Sequence, residues 1–172
     1  ELVCELSVDV SKYRDLDTGR TVVVREVHVY RKDLRTAYSH RIKIIRGSIR
    51  CHNIVRITQG SIKDSVASVI TKFYKFGSFE DIMKRNCSPL SESQIARVLY
   101  STLFALKILH KNGLSHNTIG ARKIFLSCSY HVKLGGLFNS YDGDRTIVPS
   151  PLWMAPEALR IGASGGVHIL LF

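Results

Sequence analysis

Long apolar runs are missing from this chain: nowhere do about 18 apolar residues follow one another, so no membrane-spanning helix is expected. Cysteine is scarce and scattered. Its 4 residues, Cys4, Cys51, Cys87 and Cys128, form no Cys-x-x-Cys pair, which argues against a zinc site or a dense disulfide framework and for reduced thiols in a cytoplasmic protein. There are only 4 prolines, and no segment is repeated or low in complexity, which excludes disordered and fibrous classes. Acidic residues are few, 14 against 25 Lys and Arg, for a net charge of +11. That charge motivates an anionic partner, RNA or anionic lipid among them. Yet Tyr30-Arg31-Lys32 and Lys107 to Lys111 are interrupted by apolar residues, so a solvated basic surface is expected rather than a nucleic-acid groove.

At 172 residues and 45% hydrophobic content, the chain suits one domain with a packed core. It opens at Glu1 with no charged-then-apolar leader, so no signal peptide is expected. Residues 162–172 carry Gly162, Gly165 and Gly166 and finish on Ile169 to Phe172; this atypical tail reads as an interrupted chain, and the whole as a fragment.

The β-branched run from Val22 to Val29 follows the turn signal Asp17-Thr18-Gly19 and predicts a strand, with a further strand before Asp17. From Leu34 to Ile49, the residues Ala37, Ile42, Ile44, Ile45 and Ile49 predict a basic helix. Ile54 to Thr58 and Ser65 to Phe73 predict short strands, and Lys75-Phe76-Gly77-Ser78 a connector between two lobes. Ser91 with Gln94 three residues on predicts a capped helix start. Its apolar stripe of Ile95, Val98, Leu99, Thr102, Leu103, Leu106 and Leu109 runs to Asn112-Gly113. Ile124 to Leu126 and His131 to Leu134 predict a hairpin.

Two motifs then carry a family resemblance. Trp153-Met154-Ala155-Pro156-Glu157-Ala158-Leu159 contains the Ala-Pro-Glu of eukaryotic protein kinases, and His116-Asn117-Thr118-Ile119-Gly120-Ala121-Arg122-Lys123 resembles the His-Arg-Asp-Leu-Ala-Ala-Arg-Asn loop of their tyrosine-kinase branch. Weaker anchors in register are Thr18-Gly19, His52-Asn53-Ile54-Val55 and Phe76-Gly77-Ser78-Phe79, and the likeness covers residues 8 to 161. The resemblance implies an α+β, two-lobed protein kinase-like fold. Residues 1–74 would form a small lobe of antiparallel sheet plus one helix, and residues 75–161 a mainly helical, incomplete large lobe.

On that register the residues that phosphoryl transfer needs are replaced. Phosphoryl transfer rests on cradling ATP, neutralising its phosphates with Lys and Mg²⁺, and orienting the acceptor hydroxyl. The segment that would be the Gly-rich loop, within Leu2 to Tyr13, has no glycine. Arg25 stands for the phosphate-anchoring lysine, with a planar fork in place of a compact ammonium, and Arg41 for its glutamate partner, so the usual ion pair is lost. Thr118 stands at the proton-accepting aspartate, Lys123 at the metal-binding asparagine and Gly136 of Gly136-Leu137-Phe138 at the metal-binding aspartate, leaving no catalytic or metal set intact. Thr71, with Lys72, Phe73 and Tyr74 of the hinge, would outline a vestigial nucleotide pocket. His116 and Glu157 are expected to be structural, and Arg122 either a surviving site cation or a loop residue. Tyr141 is expected to be a bystander rather than a phosphorylation site, and Asp142 with Asp144 lacks the further ligands of a calcium loop.

The resemblance therefore implies a pseudokinase that serves phosphorylation signalling as a scaffold or allosteric partner, with an active kinase or signalling protein as the expected partner. ATP held without strong dependence on Mg²⁺, or no cofactor, is expected. The alternatives are a weak ATP-dependent kinase recruiting Arg25, Arg122 and Asp142, and a basic RNA- or lipid-binding module, which steep salt dependence would reveal.

Overall fold

The computed structural model describes residues 1–7, 9–86, 89–116, 118–138, 141–142 and 145–146. These fall into two compact units. The first holds Glu1–Ile49, Val55–Phe73 and the segment from Phe138; the second holds Arg50–Ile54 and Tyr74–Leu137.

The first unit is an antiparallel five-stranded sheet in the order β1-β2-β3-β5-β4, built from β1 (Leu2–Ser7), β2 (Val10–Arg14), β3 (Thr21–His28), β4 (Ile57–Lys63) and β5 (Val66–Lys72). Asp15 folds the β2–β3 hairpin: its carboxylate accepts from the Asp17 N–H at 3.0 Å and the Thr18 hydroxyl at 2.7 Å, and Gly19 supplies the positive φ of +65°. The two-residue β4–β5 turn places both Asp64 and Ser65 at positive φ, which matches the twist of the strands it joins.

Helix α1 (Lys32–Gly47) packs on this sheet, burying Leu34, Tyr38, Ile42 and Ile45. Removing each such side chain from water is worth roughly 1.5–3 kcal/mol. The buried stripe corrects the one expected from the sequence, because Ala37 is exposed and Tyr38 takes the inward position. Strand β4 also differs from expectation, starting three residues later than Ile54 and continuing through the polar Gln59-Gly60-Ser61. As an edge strand it turns alternate residues to water, which hides it in a search for apolar runs. At Gly60 a methyl group would lie 2.7 Å from Ile42 Cγ2, so glycine is what lets helix and strand approach.

In the second unit, helix α2 (Phe79–Arg85) begins at a capping box in which Ser78 Oγ accepts from the Asp81 N–H at 3.2 Å and Asp81 accepts from the Ser78 N–H at 2.8 Å. The sequence reading missed this helix. Helix α3 (Glu92–Lys111) starts at Ser91 with Gln94 completing the box, as expected. It buries Thr102, Ala105, Leu106 and Leu109. Strands β6 (Ile124–Leu126) and β7 (Val132–Leu134) form the expected hairpin. Asn53 ties β7 down, its side-chain amide donating to Val132 O at 3.1 Å and its carbonyl accepting from the Leu134 N–H at 2.7 Å. The short strands β8 (Tyr141–Asp142) and β9 (Arg145–Thr146) follow.

Candidate functional site

Arg25 lies on β3 between Val10 of β2 and Val69 of β5, and the sheet carries its side chain into partial burial. Its Nη1 donates to the Phe138 carbonyl at 3.5 Å. Burial pushes the guanidinium below its ordinary pKa, opposed by the charge of Asp9 and by Tyr38. Such a group stays charged at any working pH. The Phe138 ring is buried and meets Tyr38 of α1 at 6.4 Å between centroids. Arg41, one turn beyond Tyr38 on the same face, is half-buried. Tyr38 and Asp9 had no part in the sequence reading, and Phe138 entered it only within Gly136-Leu137-Phe138; only the fold brings them to Arg25.

Of the residues expected to outline a nucleotide pocket, Thr71 pairs with Val23 and Ile57 in the sheet, and Lys72 is exposed. The Phe73 ring carries the Lys12 ammonium 4.5 Å from its centre. Tyr74, in the second unit, stacks on Phe125 at 5.6 Å, and burial raises its phenol pKa.

In the second unit the buried His116 is fixed at both nitrogens. Nε2 lies 2.7 Å from the Gly135 carbonyl, and Nδ1 faces the Thr118 N–H at 3.3 Å. Both bonds are satisfied by the tautomer with its proton on Nε2, so the ring staples the loop to the end of the β7 segment. Thr118 is thus held by its backbone. Lys123 sits at the end of a 3-10 turn, Ala121–Lys123, and its carbonyl accepts from the Gly135 N–H at 2.7 Å. This lays its side chain over Gly136, which has a φ of +76°. A Cβ there would be 2.7 Å from Lys123 Cδ and 3.3 Å from its Cβ. Arg122 points elsewhere: its Nε meets Glu80 of α2 at 2.5 Å, and Glu80 also pairs with Lys84 at 2.8 Å. Glu157 and the Trp153 to Leu159 motif lie outside the described residues, as do the side chains of Tyr141 and Asp142.

The sequence model of the protein kinase domain matches residues 7–168. The chain belongs to the protein kinase family. In that kinase fold the sheet with α1 is the small lobe, and the unit of α2 and α3 belongs to the large one. Two relatives are similar in sequence. The serine/threonine-protein kinase dst4 of Dictyostelium discoideum is 32% identical over 124 residues, which is 69% of this chain and 26% of the relative. The serine/threonine-protein kinase shk1/pak1 of Schizosaccharomyces pombe is 28% identical over 159 residues, 89% of this chain and 24% of the relative. This kinase domain thus spans about a quarter of the length of the curated relatives it matches. Among the described residues no helix is long and apolar enough to cross a membrane.

Proposed function

We propose that this is a kinase-fold domain that does not transfer phosphate and that acts as a scaffold or allosteric partner in phosphorylation signalling. The contact of Lys123 with Gly136 carries the reading. At the two positions where the family would hold Mg²⁺, this chain sets a lysine stem against a glycine. Mg²⁺ demands oxygen ligands in near-octahedral geometry, and neither side chain has an oxygen. The residues present do not fit the ion. No group of three His, Cys, Asp or Glu suited to a metal occurs among the described residues.

The remaining positions point the same way. Thr118 offers a neutral hydroxyl where a carboxylate would accept the acceptor's proton, a loss of roughly 10²–10⁴ in rate. Arg25 keeps a positive charge, but its fork is turned to the Phe138 carbonyl. Losses within one cooperating site do not multiply, so these replacements are read as one disabled site rather than as a product of factors.

The two relatives, both named as serine/threonine-protein kinases, favour a second reading, a weak kinase in which Arg25, Arg122 and Asp142 take new roles. The Arg122 ion pair with Glu80 speaks against recruiting that cation. The likeness of His116 to Lys123 and of Trp153 to Leu159 to the tyrosine branch belongs to the first reading as ancestry and assigns no acceptor. The expected partner is an active kinase or another signalling protein.

The test combines a thermal-shift titration with ATP, with and without Mg²⁺, and transfer of radiolabelled phosphate to a generic peptide. A ligand that binds only the native state raises its apparent stability. The expected result is no Mg²⁺-dependent rise and no transfer. Transfer at an ordinary kinase turnover by contaminant-free protein overturns the reading, and weak transfer abolished by Asp142→Ala establishes the second.

A further inference from the structure

We propose that the outward stripe of α3 in the second unit docks the chain on an anionic lipid bilayer, with the helix lying in the plane of the headgroups. This goes beyond a scaffold or allosteric role and does not depend on whether phosphate is transferred. Arg97, Tyr100, Phe104, Lys107 and Lys111 recur at alternating steps of three and four residues, the spacing that keeps side chains on one face of a helix. That face is turned away from Thr102, Ala105, Leu106 and Leu109, which the helix buries, and all five side chains are exposed. At its middle two aromatic rings stand in water. Tyr100 keeps 72% and Phe104 42% of its surface accessible, and the rings stack at 6.5 Å between centroids, 17° from parallel. Leu103, beside them, is exposed too.

Charge and shape select the occupant. Lys107 and Lys111 would complement the negative end of the helix dipole in any protein. That role asks nothing of Arg97, two turns into the helix, or of two rings side by side in solvent. Among the described residues, no ion pair involves Arg97, Lys107 or Lys111, and the one acid of α3, Glu92, stands in its first turn. The cations bracket the rings over about 21 Å of helix. This is the arrangement of a helix at a membrane interface, where Lys and Arg meet lipid phosphates while aromatic and aliphatic groups sink about 5–10 Å to the edge of the acyl chains. A helix flank is convex, so it meets a flat bilayer along its length, whereas a single RNA strand is held in a basic groove that tracks its backbone. Leu103 gains from burial in hydrocarbon and offers no ring on which a base could stack. The net charge of +11 draws the chain to an anionic surface.

The test is flotation of the full chain with lipid vesicles in a density gradient, which separates bound chain from aggregates. The chain is expected to float with phosphatidylcholine vesicles that contain phosphatidylserine, not with phosphatidylcholine alone, and to be released in large part by raised salt. Lys107→Glu with Lys111→Glu should weaken the partition about tenfold or more, and Tyr100→Gln with Phe104→Gln about as much. Lys32→Glu with Lys63→Glu, the same change in net charge made in the first unit, should weaken it far less. Every substituted side chain is exposed, so the fold tolerates the changes, and circular dichroism of each variant checks this. Absence of flotation, equal flotation with neutral vesicles, or equal losses in the two lysine pairs overturns the proposal. Undiminished flotation of the chain carrying Tyr100→Gln and Phe104→Gln overturns it too, since a basic surface would then be acting without insertion. So does equal displacement by polyuridine RNA, which assigns the face to another class of partner. No nucleotide is present, so the outcome of the phosphate-transfer assay and the outcome of flotation stand or fall separately.

Discussion

The side chain of Lys123 lies so close over Gly136 that a methyl group added at 136 would come within 2.7 Å of Lys123 Cδ. The two positions are coupled in space, although 13 residues apart in sequence. A residue with a Cβ at 136 meets two obstacles, the lysine stem and the positive φ of +76°.

Gly136→Ala is therefore expected to cost about 1–2 kcal/mol in urea unfolding of the full chain, the usual penalty for a side chain in left-handed backbone. Adding Lys123→Ala should return the part due to the clash and leave the backbone part, a non-additivity that a double-mutant cycle reads directly. Gly136→Asp should show the same pattern without gaining stability from Mg²⁺. Strict additivity, or stabilisation by Mg²⁺, would contradict the contact.

His116 holds Gly135 and Thr118 together through its two nitrogens. His116→Leu removes both bonds and leaves the Gly135 carbonyl buried without its partner. The expected loss is about 1–3 kcal/mol, the cost of an unsatisfied buried polar group. A melting temperature equal to that of the parent would show that the ring merely fills space.

The start of α2 should respond to acid. Hydrogen bonds from the Ser78 hydroxyl and from the Ser78 N–H hold the Asp81 carboxyl below its ordinary value of 3.8. A carboxyl whose pKa is lower in the folded state stabilises the fold above the unfolded value, and that contribution is lost as pH falls through the folded one. The capping contribution should thus be present at pH 7 and fade below about pH 4. Ser78→Ala is expected to cost about 1 kcal/mol at neutral pH, as N-cap losses do, and less in acid. Equal costs at both pH values would contradict the assignment.

One face of α3 is apolar and exposed: Leu99 keeps 56% and Leu103 64% of their surface accessible, with Ile95 at 44%. The chain by itself is expected to self-associate at micromolar concentration, which light scattering would detect. Leu99→Lys with Leu103→Lys should raise the solubility limit severalfold while leaving the melting temperature nearly unchanged, since exposed substitutions seldom move stability. A large fall in melting temperature would mean that this face is packed.

Where a pattern is local, the sequence displayed it. The Ser91 cap, the β-branched β3 and the β6–β7 hairpin follow from neighbours a few residues apart. Helix α2 was equally available through Ser78 and Asp81, but its seven residues are too short for an apolar period to stand out. Edge strand β4 was obscured by its polar residues and by Gly60. In the candidate site, residues 25, 118, 123 and 136 were singled out by the family resemblance alone, whereas the contacts they make were not legible. Arg25 meets Phe138 across 113 residues, and Arg122 meets Glu80 across 42. No periodicity carries information over such separations.

Gly60 bears on how the small lobe can respond to a bound partner. Because Ile42 nests against a strand position that lacks even a methyl group, α1 is keyed to β4 like a tooth in a notch. Sliding the helix by one turn, about 5.4 Å, would drive Ile42 out of that recess and against the side chains beside it. Force applied to the helix is therefore passed to the sheet edge, and the two travel as a single lever.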